Sequence, residues 1–368
     1  MSHKKFLSIV AILSAAIFLG IAVIMYILDP LFYFRKAELY RPQYAAAERY
    51  QMPGLLKNQD YDTLFTATSM GRNFRESYAD EKLGAKTFNA SLPASTAKEQ
   101  SMVAEAALRD KPGLKRVIWE LNYYSFAGEP DWVMGPPSDF PTYMYDRTKI
   151  NDIRYMFNSY SVEIFYKNLM ANREGNEQWR EVEPLYKFGQ VAPIESIDHI
   201  QAYLNGVQPV EFPEYEHSSV QLNSFKKNVL PLVKAHPDTK FTFFYAPYPI
   251  YNHVSYYKKN PKYLTERLKF KKAVFELTRK FPNVEVYDFQ DMKEITYNIE
   301  NYQGDTVHYY QFINNWILDY LAENKPVQSE QEYAAKLQNF EKQITRFDIK
   351  QLKKVSTIKE QYALENQQ

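Results

Sequence analysis

The chain has 368 residues, with 45 basic and 44 acidic side chains, a formal charge of +1, six histidines, 11 glycines and no cysteine. That balance gives no electrostatic reason to bind nucleic acid, and the missing thiols exclude disulfides and thiolate metal sites. Its 31 Tyr, 24 Phe and 4 Trp suit core and interface packing, with stacking on sugar rings as the sharper alternative.

Residues 1–5 carry His3, Lys4 and Lys5, and residues 6–28 follow as an apolar run without a charged side chain. At 1.5 Å per residue that run reaches roughly 34 Å, enough to cross a hydrocarbon core of about 30 Å. A cleaved signal peptide competes with this reading, but such segments are shorter and end in a small-x-small site, whereas this one continues through Met25 and Tyr26 into Asp29-Pro30. The expectation is a single-pass anchor at residues 6–28 that meets membrane lipid. The basic start, set against Arg35 and Lys36, leans toward an inside N-terminus and an extracytoplasmic domain on the cell membrane.

Residues 29–60 read as a juxtamembrane collar or linker. A strand is expected from Tyr61 to Thr68, a helix from Asn73 to Leu83 closed by Gly84, and a second strand from Lys86 to Ala90. Then come a helix from Ser95 to Arg109, a stop at Lys111-Pro112-Gly113 and a third strand from Arg116 to Leu121. Alternating strand and helix implies parallel pairing with right-handed crossovers. The pattern breaks over about 124–215, with one helical stretch near Ile150 to Met170, and an excursion of that length reads as a cap beside the functional edge.

Alternation resumes with a helix near Ser218 to Ala235, the strand Lys240 to Tyr245, a helix from about Tyr263 to Lys280, the strand Val284 to Tyr287 and a helix just beyond His308. The fold class is therefore α/β, a three-layer α/β/α domain over residues 61–324 with a parallel sheet of about five strands, preceded by one transmembrane helix. Residues 325–368 form a helical tail whose stripe Tyr333, Leu337, Phe340, Ile344 and Phe347 fits packing back onto the domain or a short coiled coil.

In an open parallel sheet the ligand site lies at the carboxyl ends of the strands. Ser69 follows the first strand at a strand-to-helix turn, where backbone amides can stabilise an oxyanion; it also suits a helix cap. Asn122 follows the third strand, able to offer an amide or to cap a turn. Asp305-Thr306-Val307-His308 precedes the closing helix, and a carboxylate three residues before a histidine can curl back onto its Nδ1, leaving Nε2 as a base.

Ser69, Asn122, Asp305 and His308, in that order and each after a strand, resemble the SGNH or GDSL-like hydrolase family. Its first block appears as Ala67-Thr68-Ser69-Met70, its third as Glu120-Leu121-Asn122-Tyr123, and its Asp-x-x-His block is intact as Asp305 to His308. The resemblance implies Ser69 as nucleophile, His308 as base, Asp305 as its orienter, and Asn122 with the Ser69 amide as oxyanion donors. The family's second-block Gly has no direct match in Asn89 to Ser95; Ala94 is left to donate its amide, since Pro93 has none. Glu120 stands where the family has Gly, so its charge falls near the developing oxyanion unless it points away.

The resemblance extends to membrane-tethered members that add or remove acyl groups on cell-envelope polymers. It therefore implies a serine esterase or O-acyltransferase acting on an acylated envelope carbohydrate. The alternative from another class is a non-catalytic scaffold on the same fold, whose tail or insertion binds a partner such as a membrane-embedded acyltransferase in an envelope polymer biosynthesis or modification complex. No cofactor is expected: His199, His217, His236, His253 and His308 form no ligand pattern, and there is no glycine-rich phosphate loop.

Overall fold

The computed structural model describes residues 2–36, 38–135, 139–176, 180–183, 185–188 and 191–365. Two compact units emerge, one of residues 1–59 with 135–186 and one of 60–134 with 187–368.

The first unit contains the helix His3–Leu28, long and apolar enough to cross a membrane, with Phe6 to Ile27 largely exposed. Asp29 ends that helix in a left-handed conformation. Its carboxylate then gathers the N–H groups of Tyr33 at 2.9 Å, Phe34 at 2.7 Å and Arg35 at 2.9 Å, and the Tyr155 hydroxyl at 2.7 Å. An otherwise frayed helix end thereby becomes a buried turn. The helix Glu48–Asn58 packs so closely on that turn that a Cβ at Gly54 would stand 2.0 Å from the Leu31 carbonyl oxygen. The helical stretch expected near Ile150 to Met170 is realised as Ile153–Met156 and Ser159–Glu174, divided where the Asn158 side chain caps Tyr160 N–H at 2.7 Å.

The second unit holds a five-stranded, all-parallel sheet in the order β2-β1-β3-β4-β5: β1 Thr63–Thr66, β2 Thr87–Asn89, β3 Arg116–Glu120, β4 Lys240–Tyr245 and β5 Val284–Asp288. These strands are buried on both faces, as apolar runs covered by helices should be. On one face Phe65, Ile118, Phe244 and Tyr287 pack with Ala79 of the helix Glu76–Leu83 and with Ile313, Ile317 and Leu321 of the helix Gln311–Glu323. On the other face, Phe243 meets Trp119 and Phe225, and the Trp119 indole donates to Gln100 at 2.6 Å from the helix Ala97–Asp110. The result is the three-layer architecture expected from the alternation.

The segment from Ser218 to Ala235 breaks into Ser218–Asn228 and Leu230–Ala235, because Pro231 supplies no backbone N–H. The helices Ile197–Asn205 and Ile250–Lys259, not expected from the sequence, each carry an apolar face at helical spacing, and Ile200, Leu204, Ile250, Tyr251 and Val254 pack there with Phe340 and Ile344. The tail helix Glu330–Thr345 folds back onto this unit, burying Tyr333, Leu337, Phe340 and Ile344. The long excursion divides: residues 135–186 belong with 1–59, while 124–134 and 187–215 stay with the sheet.

Candidate active site

Successive strands are added on opposite sides of β1, β2 on one and β3 on the other, and the crevice outside the carboxyl ends of β1 and β3 is where such sheets bind ligands. Ser69 opens the short 3-10 turn Ser69–Gly71 directly after β1, and Asn122 follows β3. The turn is too tight for a side chain at its end, since a Cβ on Gly71 would lie 2.5 Å from Ala67 Cβ and 2.7 Å from Ser91 Oγ.

Most of what fixes this turn comes from far along the chain. Asn89, ending β2, donates its amide to the carbonyls of Gly71 at 2.9 Å, Arg72 at 3.2 Å and Phe74 at 3.2 Å. The Met70 carbonyl accepts from Tyr309 OH at 2.9 Å and from Asn314 Nδ2 at 3.1 Å. Since Tyr309 is the neighbour of His308, the same short segment that presents the imidazole also grips the serine turn.

The second part of the site is almost self-contained. Asp305 Oδ1 accepts the N–H groups of Val307 at 3.0 Å and His308 at 2.9 Å, and Oδ2 lies 2.5 Å from His308 Nδ1. His308 Nε2 lies 2.8 Å from Ser69 Oγ. Partial burial alone would raise the Asp305 carboxyl, but the imidazole and the two backbone amides outweigh it and hold the group at about 2. Asp305 is therefore an anion at neutral pH. It fixes the proton on Nδ1, so that Nε2 is free to accept from the serine hydroxyl. Phe188 sets its ring edge-on to the imidazole, with centroids 5.2 Å apart.

Asn122 serves as the cap foreseen for it, its Oδ1 accepting the Ser125 N–H at 2.8 Å, while among the described residues its buried Nδ2 has no partner. Ala94 occupies the left-handed region at φ 49°, which favours glycine. Ser69, Ala94 and Asn122 all line one cavity of about 300 Å³, together with Tyr123, Tyr248, Asn252, His253, Tyr256 and Arg267.

Glu120 is not among the side chains lining this cavity. Its carboxyl is fully buried and accepts from Thr68 N–H at 2.8 Å, Thr68 Oγ at 2.7 Å and Tyr248 OH at 3.2 Å. Burial pushes its pKa above the ordinary 4.5, with the Thr68 and Tyr248 bonds offsetting this in part. Its effect is to hold the residue before Ser69. Sequence reading noticed Glu120 but not this use, because the partners lie 52 and 128 residues away.

The structure thus brings together all five residues singled out in the sequence, and adds Glu120, Asn89, Tyr309 and Asn314 as positioning residues. Among the described residues no group of three His, Asp or Glu side chains is arranged to hold a metal ion. In comparison with known proteins, no family model matches the chain and no curated protein matches it.

Proposed function

We propose that the chain is an SGNH-type serine esterase or O-acyltransferase, held at a membrane by residues 6–28 and acting on an O-acylated envelope carbohydrate. The observation that carries this reading is the continuous path from Ser69 Oγ through His308 to Asp305, at 2.8 and 2.5 Å. Ser69 Oγ attacks the ester carbonyl as its proton passes to His308 Nε2. The oxyanion is received by the Ser69 and Ala94 amides and by Asn122 Nδ2. Collapse breaks the bond to the alcohol oxygen, which takes the proton from His308 and leaves an acyl-serine. Water as the second acceptor gives an esterase, and a sugar hydroxyl gives a transferase.

The basic residues before the helix favour an inside N-terminus and an extracytoplasmic sheet unit, which would put envelope polymers within reach. A membrane-embedded acyltransferase that supplies the acyl ester fits the same setting. The test is exposure of the full-length chain in detergent to a serine-directed fluorophosphonate, followed by peptide mass spectrometry. Labelling of Ser69 that vanishes in His308→Ala is expected. A folded chain with no labelling would favour a non-catalytic scaffold instead.

A further inference from the structure

Arg267, on the helix Lys262–Thr278, lines the same cavity as Ser69 and is 8% exposed. Its guanidinium lies over the rings of Tyr256 at 4.1 Å, Tyr123 at 4.5 Å and Tyr263 at 5.5 Å. Stacking orients the plane without using its N–H groups. Among the described residues Arg267 makes no hydrogen bond or ion pair, and its Nε is buried without a partner.

One turn further along the same helix, Lys271 shows what this protein does with a buried cation that is purely structural. Its ammonium is completely enclosed, 2.6 Å from Asp288 and 3.0 Å from Gln290 Oε1. A buried charge is costly unless it is paired, so an unpaired arginine fork beside an internally neutralised lysine points to a partner from outside the chain.

The surrounding groups fit such a partner. His253, 3% exposed, lines the cavity with neither ring nitrogen hydrogen-bonded, its ring held edge-on between Tyr248 and Phe340. Glu216 is the one acidic side chain among those lining the cavity. It interacts with Arg267 through space and accepts from Gln221 at 3.3 Å, without forming an ion pair with the guanidinium.

We infer that Arg267, with His253 beside it, forms a subsite for an oxyanion carried by the substrate next to its ester, a carboxylate or a phosphate. A planar fork with unused donors binds such groups through paired charge-assisted hydrogen bonds. Placing this subsite within a substrate rests on the reading of Ser69 as the reacting group. The binding itself does not, and is measured without turnover.

The experiment is calorimetric titration of the full-length Ser69→Ala chain in detergent with methyl glucuronoside, glycerol 3-phosphate and the neutral methyl glucoside. One of the two anions should bind at least about tenfold more tightly than the neutral glycoside, and which one does separates a uronate from a phosphate source. Arg267→Gln should abolish the preference. Arg267→Lys, which keeps the charge and most of the packing, should reduce it several-fold. Glu216→Gln should strengthen anion binding by removing the competing carboxylate.

Equal binding of all three ligands, no binding of either anion at millimolar concentration, or a preference that survives Arg267→Gln in a folded chain would overturn the inference. A fluorophosphonate failure at Ser69 alongside selective anion binding would instead retire only the acyl-transfer reading.

Discussion

The two loops that meet at the site are built in opposite ways. Asp305 to His308 is organised by its own residues, with each Asp305 contact reaching two or three positions along the chain. The Ser69 turn is held from outside, by Asn89, Glu120, Tyr309 and Asn314. A self-contained loop can be recognised in a linear string, whereas an imposed one is defined by the fold around it. The two should also fail differently, the first by losing chemistry and the second by losing alignment.

His308→Ala removes the proposed base and should lower turnover of a simple acetyl ester by about four orders of magnitude, with thermal unfolding little changed. A loss below about tenfold would make the histidine structural. Asn122→Asp keeps the acceptor that caps Ser125 but removes the Nδ2 donor, so activity should fall by about a hundredfold while the unfolding temperature stays close to the parent's. Equal rates in the two proteins would mean Asn122 is only a cap.

Damage to the imposed turn should be graded. Glu120→Ala strands the buried Thr68 N–H and Tyr248 hydroxyl, at about 1–3 kcal/mol for each unsatisfied group, with activity lost alongside stability in denaturant titrations. Glu120→Gln can keep an oxygen toward Thr68 and turn its amide to Tyr248, so it should retain most of both. Tyr309→Phe removes one of two donors to the Met70 carbonyl and should cost only about 1 kcal/mol.

The smallest effect is a pH dependence. The Asp305 carboxyl is held at about 2 in the folded chain against an ordinary 3.8. Its contribution to stability is therefore fully present above pH 3.8 and is lost as the pH falls toward 2. The gap in unfolding temperature between the parent and Asp305→Asn should narrow over that interval. It should also be modest, because the Asp305 side chain is 38% exposed and water screens the pair.

The same division explains what was legible in the sequence. The five strands, their parallel pairing and the helix after His308 follow from alternation and turn residues, which are local signals, whereas the order of the strands in the sheet was not read. Asp305 and His308 were legible through spacing, and Ser69 and Asn122 through their places after strands. Ala94 entered only through the resemblance, since Pro93 offers no amide, and its left-handed backbone has no signal in an alanine. Neither the use of Glu120 as a tie nor the unpaired state of Arg267 has a sequence signal, since each depends on which distant side chains arrive beside it. The helices Ile197–Asn205 and Ile250–Lys259 escaped notice although each carries an apolar face at helical spacing; which elements those faces meet, the tail helix among them, is set by the fold.

The most direct measurement is capture of the covalent intermediate. The full-length chain would be mixed with 4-nitrophenyl acetate, quenched in acid within the first turnovers and digested for mass spectrometry. The expected result is acetate on Ser69, formed in a burst with nitrophenol release and absent from His308→Ala. Nitrophenol released with no acetyl group on Ser69, or acetylation that persists unchanged without His308, would contradict the assignment of Ser69 and His308 as nucleophile and base.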